Sequence, residues 1–193
     1  MGGLVKKRFY SVTAMFAVAA VIWAGCGLQY AGEEFSLMIG GDGSGTLKVL
    51  YKNFGSKETK SYLRKKDLGL LRDTATSGQI VMDAKAKGVS ITKRRLDFIN
   101  YTQNGYVEAR AASYRKIFDV FTHYKLEVND KIYITPLNGT VHRAQLSEPG
   151  KIIIRDKRYA FAWPLDAKDI SFKASYKIEG ASFNYEFQKK LDN

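Results

Sequence analysis

Apolar and polar residues alternate along much of this chain, and the alternation reads first as antiparallel sheet. Phe35, Leu37 and Ile39 share one face of Glu34–Ile39, and Leu47, Val49 and Tyr51 share one face of Thr46–Lys52. Between them Gly40-Gly41-Asp42-Gly43-Ser44-Gly45 supplies residues that accept positive φ, so the two runs predict a β-hairpin. Near the other end Ile170, Phe172, Ala174, Tyr176 and Ile178 alternate with polar neighbours, Gly180-Ala181 turns the chain, and Phe183, Tyr185 and Phe187 resume the pattern. Shorter strands are expected at Lys125–Val128, Lys131–Ile134, Thr140–Leu146 and Lys151–Arg155. Asn129-Asp130, Asn138-Gly139 and Pro149-Gly150 punctuate them.

Helical spacing interrupts the strands. Leu63, Leu70 and Leu71 form one stripe of Ser61–Arg72. Thr76 or Ser77 can cap a second helix with Ile80, Val81 and Ala84 inward and Gly88 as its stop. Ser113 can cap a short third one, in which Tyr114, Ile117, Phe118 and Phe121 share a face. Val89–Tyr101 returns to strand, with Ile91 out of phase with Leu96 and Phe98, which predicts a bulge near Lys93-Arg94. Asn104-Gly105 then signals a hairpin turn into Tyr106–Ala111. No repeat or Pro-rich linker divides the chain. The expected fold class is α+β: a largely antiparallel β-sheet with two or three short helices packed on one side, forming a single domain over residues 33–193.

The N-terminus has a different design. Lys6-Lys7-Arg8 precedes Phe9–Trp23, an apolar run too short for a membrane-spanning helix, which needs roughly 20 apolar residues, and suited to a signal peptide. Small residues, Ala24-Gly25, then precede Cys26. It is the one cysteine in the chain, so no intramolecular disulfide or thiolate metal cluster can form. Trp23-Ala24-Gly25-Cys26 resembles the lipobox of bacterial lipoproteins, with Trp23 where that family usually carries an aliphatic residue. The resemblance implies that residues 1–25 are a cleaved signal peptide. It also implies that Cys26 is acylated and that the partner of the N-terminus is a membrane, reached through acyl chains on Cys26. Residues 26–32, small or polar and without periodicity, then read as a lipidated tether. The implied location is the cell envelope, and Gly27 after the cysteine implies the outer membrane in a Gram-negative host.

Candidate chemistry is sparse. His123 and His142 lie in separate segments without a carboxylate at ligand spacing, and no serine sits in a nucleophile-elbow frame. Asp42-Gly43-Ser44-Gly45 lacks the lysine of a phosphate loop and the repeated acids of a calcium loop. Glu33-Glu34 borders the expected tether, and the other acids are scattered among lysines. Hence no catalytic residue, metal ligand or cofactor is expected, and the chain reads as non-enzymatic.

Charge carries more information. The formal net charge is +12, with 31 basic and 19 acidic side chains. Three of the charges, Lys6, Lys7 and Arg8, precede Cys26 with no acid among them, which leaves +9 on the rest. The candidate contacts for an anionic ligand are Arg64, Lys65 and Lys66, then Lys93, Arg94 and Arg95, then Lys157 and Arg158. Export argues against nucleic acid as the partner and for anionic lipid, glycolipid or cell-wall polymer. The order of elements, with Asp42-Gly43-Ser44-Gly45 in the first hairpin and a late Trp163-Pro164-Leu165, is similar to LppM-type lipoprotein domains. That resemblance implies an envelope domain in contact with lipids or glycolipids and implies no catalytic residues. The alternative is an accessory subunit of an envelope assembly, held to a protein partner by strand addition at an open sheet edge. A hydrolase comes third.

Overall fold

The computed structural model describes residues 27–99, 102–178 and 181–182. In chain order the elements are β1 (Leu28–Ile39), β2 (Gly45–Ser56), α1 (Ser61–Thr76), α2 (Gly78–Ala86), β3 (Val89–Ile99), β4 (Thr102–Ala111) and α3 (Tyr114–Val120). Then follow β5 (Tyr124–Val128), β6 (Ile132–Pro136), β7 (Thr140–Leu146), β8 (Lys151–Arg155), β9 (Arg158–Trp163), β10 (Asp169–Lys177) and β11 (Ala181–Ser182). The fold is α+β. A seven-stranded antiparallel sheet runs β3-β4-β2-β1-β10-β7, with β11 paired to the end of β2, and a four-stranded one runs β5-β6-β9-β8.

The first hairpin forms as its alternation requires. Phe35, Leu37, Leu47 and Val49 are buried, and β1 and β2 pair from Ile39↔Gly45 back to Leu28↔Ser56. Asp42 Oδ1 accepts the Ser44 N–H at 3.0 Å, and Gly43 takes the positive φ of 81°. One face of the large sheet carries the core, and two different layers cover it. The helices cover β2, β3 and β4. The small sheet covers β1 and β10, bringing Tyr124 of β5 to 5.0 Å from the Phe35 ring and Phe161 of β9 to 4.6 Å from the Phe172 ring. The opposite face is polar, with Glu34 between Lys52 and Lys173.

Two expectations need correction. Leu28 to Gly32 is strand and not tether: Leu28 and Tyr30 are buried against the core and pair with Ser56 and Phe54. Their alternation is out of phase with the Phe35 run, which hid it in the sequence. Tyr30 and Glu33, three residues apart, both reach the core, as do Tyr51 and Phe54 on the neighbouring strand, where Asn53 takes a left-handed backbone (φ 54°). Second, Asn104-Gly105 lies inside β4 and not in a turn. Gly105 pairs with Tyr51 and Leu96, and a Cβ there would sit 2.8 Å from the Phe54 ring. Asn104 uses its side-chain oxygen to accept the Asn53 N–H at 3.0 Å. β9 is not among the expected strands: Ala160, Phe161, Ala162 and Trp163 are all buried, so no alternation marks it. The bulge in β3 falls between Ile91 and Lys93. Trp23 to Cys26 and Phe183 to Phe187 lie outside the described residues.

Candidate functional site

Two features meet behind β1 and β2. The first is a buried carboxylate. Glu33 is 1% exposed, on the inward side of β1 beside Phe35. It accepts hydrogen bonds from the phenols of Tyr124 (2.6 Å), Tyr30 (3.3 Å) and Tyr176. The three tyrosines come from β5, β1 and β10, so one carboxyl ties both sheets together. Burial pushes the Glu33 carboxyl up to about 7, and the three phenol donors pull it partly back. Burial first, and then the Glu33 charge, push Tyr30, Tyr124 and Tyr176 upward, which keeps them as donors.

Next to this cluster, Tyr51 Oη and His123 Nε2 share a hydrogen bond of 2.7 Å. His123 precedes β5, is 9% exposed, and stacks obliquely on Tyr124 at 4.2 Å. Burial lowers its imidazole to about 3, so the ring is neutral across the physiological range.

The second feature is a hollow. A cavity of about 360 Å³ lies between α1–α2 and the strands β2, β3 and β4. Leu71, Ile80, Ala84, Ile91, Leu96 and Val107 supply apolar wall, and Tyr51 and His123 join it to the polar cluster. Asp83, Lys87, Arg94 and Arg95 border it. The β3 bulge creates this arrangement. Ile91 faces the helices, and the extra residue shifts the phase so that Arg94 and Leu96, opposite Val107 and Gly105, face the same way. Arg94 Nη1 donates to the Thr74 carbonyl at 3.0 Å near the end of α1, and so bridges the two walls of the hollow. Lys87 Nζ donates to the Asp119 carbonyl at 2.9 Å.

The sequence-predicted basic residues separate into three places. Arg94 and Arg95 border the cavity, whereas Lys93 lies 5.6 Å over the Tyr106 ring; Arg95 lies 5.2 Å over the same ring and pairs with Asp97 at 2.5 Å. Arg64, Lys65 and Lys66 stand on the first two turns of α1, the two lysines exposed. Lys157 and Arg158 form the exposed end of the β8–β9 hairpin, where Arg158 Nη1 donates to the Leu137 carbonyl at 3.1 Å. Glu33 and His123, read from sequence as ordinary positions, are the buried polar centre. The signal for Glu33 was its place on the apolar parity with Phe35 and Leu37.

Among the described residues no three His, Cys, Asp or Glu side chains converge, and no helix is long and apolar enough to cross a membrane. No protein-family model matches the chain. No curated protein and no solved structure matches it either.

Proposed function

We propose that this chain is a membrane-tethered envelope lipoprotein, anchored through Cys26, whose domain is a non-enzymatic binder of an anionic amphiphile such as a lipid or glycolipid. The observation that carries the reading is the cavity: apolar walls under α1–α2, with Arg94 turned toward it by the β3 bulge. Ligand cavities span roughly 300–1,000 Å³ and combine apolar walls with a few placed polar groups. At about 360 Å³ this one suits a single acyl chain and leaves no room for two. The Arg94 guanidinium supplies the complementary charge for a phosphate or carboxylate head. A non-enzymatic role is supported by His123, whose depressed basicity makes it a poor proton acceptor, and by the enclosure of Glu33 among three phenols.

The test is native and intact mass spectrometry of the full chain extracted from membranes in mild detergent. A multiply acylated species beginning at Cys26, carrying one further non-covalent lipid, is the expected result. Ala84→Leu, which narrows the hollow, is expected to lose the non-covalent lipid and keep the covalent acyl groups. An unacylated chain would sink the tether. Lipid retained equally by Ala84→Leu and Arg94→Gln would sink the cavity as the binding site.

A further inference from the structure

We infer that one end of the molecule, built from the β8–β9 hairpin and the first turns of α1, is a docking surface for an anionic lipid bilayer. The orientation this implies rests on the Cys26 tether proposed above.

The hairpin carries Ile152, Ile154 and Tyr159 in the open, with Ile154 71% exposed. Ile154 and Tyr159 are direct cross-strand partners and so share a face. Lys151, Lys157 and Arg158 of the hairpin stand against one acid within it, Asp156, while its fourth cation, Arg155, pairs with Glu127 at 2.8 Å. Lys151, Arg155 and Arg158 occupy the opposite face of the hairpin and Lys157 its turn, so a tip that enters an anionic bilayer edge-on presents apolar side chains to the acyl region and cations to the phosphates. A protein interface core would instead be depleted of charge.

Register places this hairpin at the end where β1 begins. The Arg158 side chain holds the Leu137 carbonyl, Gly139 lies against the Tyr176 ring, and Thr140 pairs with Lys177. On the same sheet Ser175 pairs with Gly32, four residues from Leu28. On the other flank of that end, Ser56 Oγ donates to Asp67 Oδ2 at 2.5 Å and so pins α1. The turns of α1 before Asp67 expose Lys65, Lys66 and Tyr62, the last 65% exposed. Gly27 itself is fixed there, its carbonyl accepting the Lys57 N–H at 2.8 Å.

Cys26 lies two residues before Leu28, and two residues of chain reach at most about 7 Å. Acyl chains on Cys26 would therefore hold this end, with its two basic and apolar flanks, directly on the headgroups. The polar cluster and cavity would stand behind it.

The experiment uses the full-length protein purified from membranes, as Ile154→Trp, in phosphatidylcholine vesicles with or without phosphatidylglycerol. Flotation reads anchoring. Quenching of the introduced indole by lipids brominated on the acyl chain, against the parent protein, reads docking. Quenching confined to anionic vesicles is expected, and Lys157→Gln with Arg158→Gln should weaken it about 30-fold in lipid affinity. Protein that floats while the introduced indole stays unquenched overturns the docking face and leaves the tether standing. Quenching in anionic vesicles without stable flotation supports the face and counts against the tether. Neither signal overturns both.

Discussion

The two halves of the large sheet's inner face solve the same burial problem in opposite ways. Over β1 and β10 the covering layer is a second sheet, and large aromatic side chains fill the gap: Phe35 stacks on Phe172 at 4.7 Å, and Tyr30, Tyr51, Phe54 and Tyr176 meet edge-on or tilted. Over β3 and β4 the cover is a helix pair, and Thr74, Ala75, Ala84 and Gly105 face one another with little bulk. On the first side the rings fill the gap and the polar groups satisfy each other. On the second side the space is left open and Arg94 is aimed at it. Tyr51 and His123 belong to both halves and form the seam.

Breaking the dense half at its centre should give the largest effect. Glu33→Ala leaves three buried phenols without their shared acceptor, and is expected to destabilise the protein by at least about 3 kcal/mol in urea melts. The same carboxyl makes stability depend on pH. Its folded value of about 7 lies above the ordinary 4.5, so the folded state keeps a proton that the unfolded chain has lost. That contribution is complete below pH 4.5 and is lost as pH rises through 7, about 3 kcal/mol in all. His123 acts in the other direction. With a folded value of about 3 against 6.5, its contribution is complete above pH 6.5 and is lost as pH falls toward 3. Between pH 4.5 and 6.5 the two slopes oppose each other, so the parent protein is expected to be nearly flat there. Glu33→Gln should uncover a fall in stability toward acid, and His123→Gln a fall toward neutral pH. Parallel slopes in the two variants would remove this account of the network.

Volume offers a sharper contrast between the halves. Ala174 faces the dense side opposite Glu33, and Ala84 faces the hollow. Ala174→Leu is expected to cost about 1–3 kcal/mol by overpacking. Ala84→Leu should be neutral or stabilising by about 1 kcal/mol, because the added methylenes enter existing space. Equal penalties in thermal melts would mean that the hollow is closed in solution.

The sequence disclosed what repeats at short range and concealed what depends on distance. The first hairpin, β10 and α3 follow from alternation or helical spacing in Phe35–Ile39, Ile170–Tyr176 and Tyr114–Phe121. Leu28 and Tyr30 alternate too, but the phase change before Glu33 made them look like a separate tether. Gly105 resembled a turn glycine because the Phe54 ring it makes room for is distant in sequence. Glu33 shares the apolar parity of Phe35 and Leu37 while half-buried Glu34 does not, but the tyrosines from β5 and β10 that receive its carboxyl are distant in sequence. The cavity was illegible for a related reason. It consists of side chains that are small or absent on three separate elements, α1, α2 and β4, and local periodicity does not report missing bulk.

The smallest expected effect lies where the dense half reaches solvent. Asp156 and Lys157 join β8 to β9 in a two-residue turn with φ of 49° and 62°, both left-handed. Glycine is the natural residue for such a place, and an L side chain in this region costs roughly 1–2 kcal/mol. Lys157→Gly relieves that strain and gives back about 0.4–1 kcal/mol through the freer unfolded chain. A net gain of about half a kcal/mol is expected, read as a small rise in the urea midpoint. The same change removes one of the two cations at the tip, so affinity for anionic vesicles should fall as stability rises. A lysine retained at the strained position for its charge would produce that opposition. Stability and vesicle affinity moving together would mean that the turn serves only to close the hairpin.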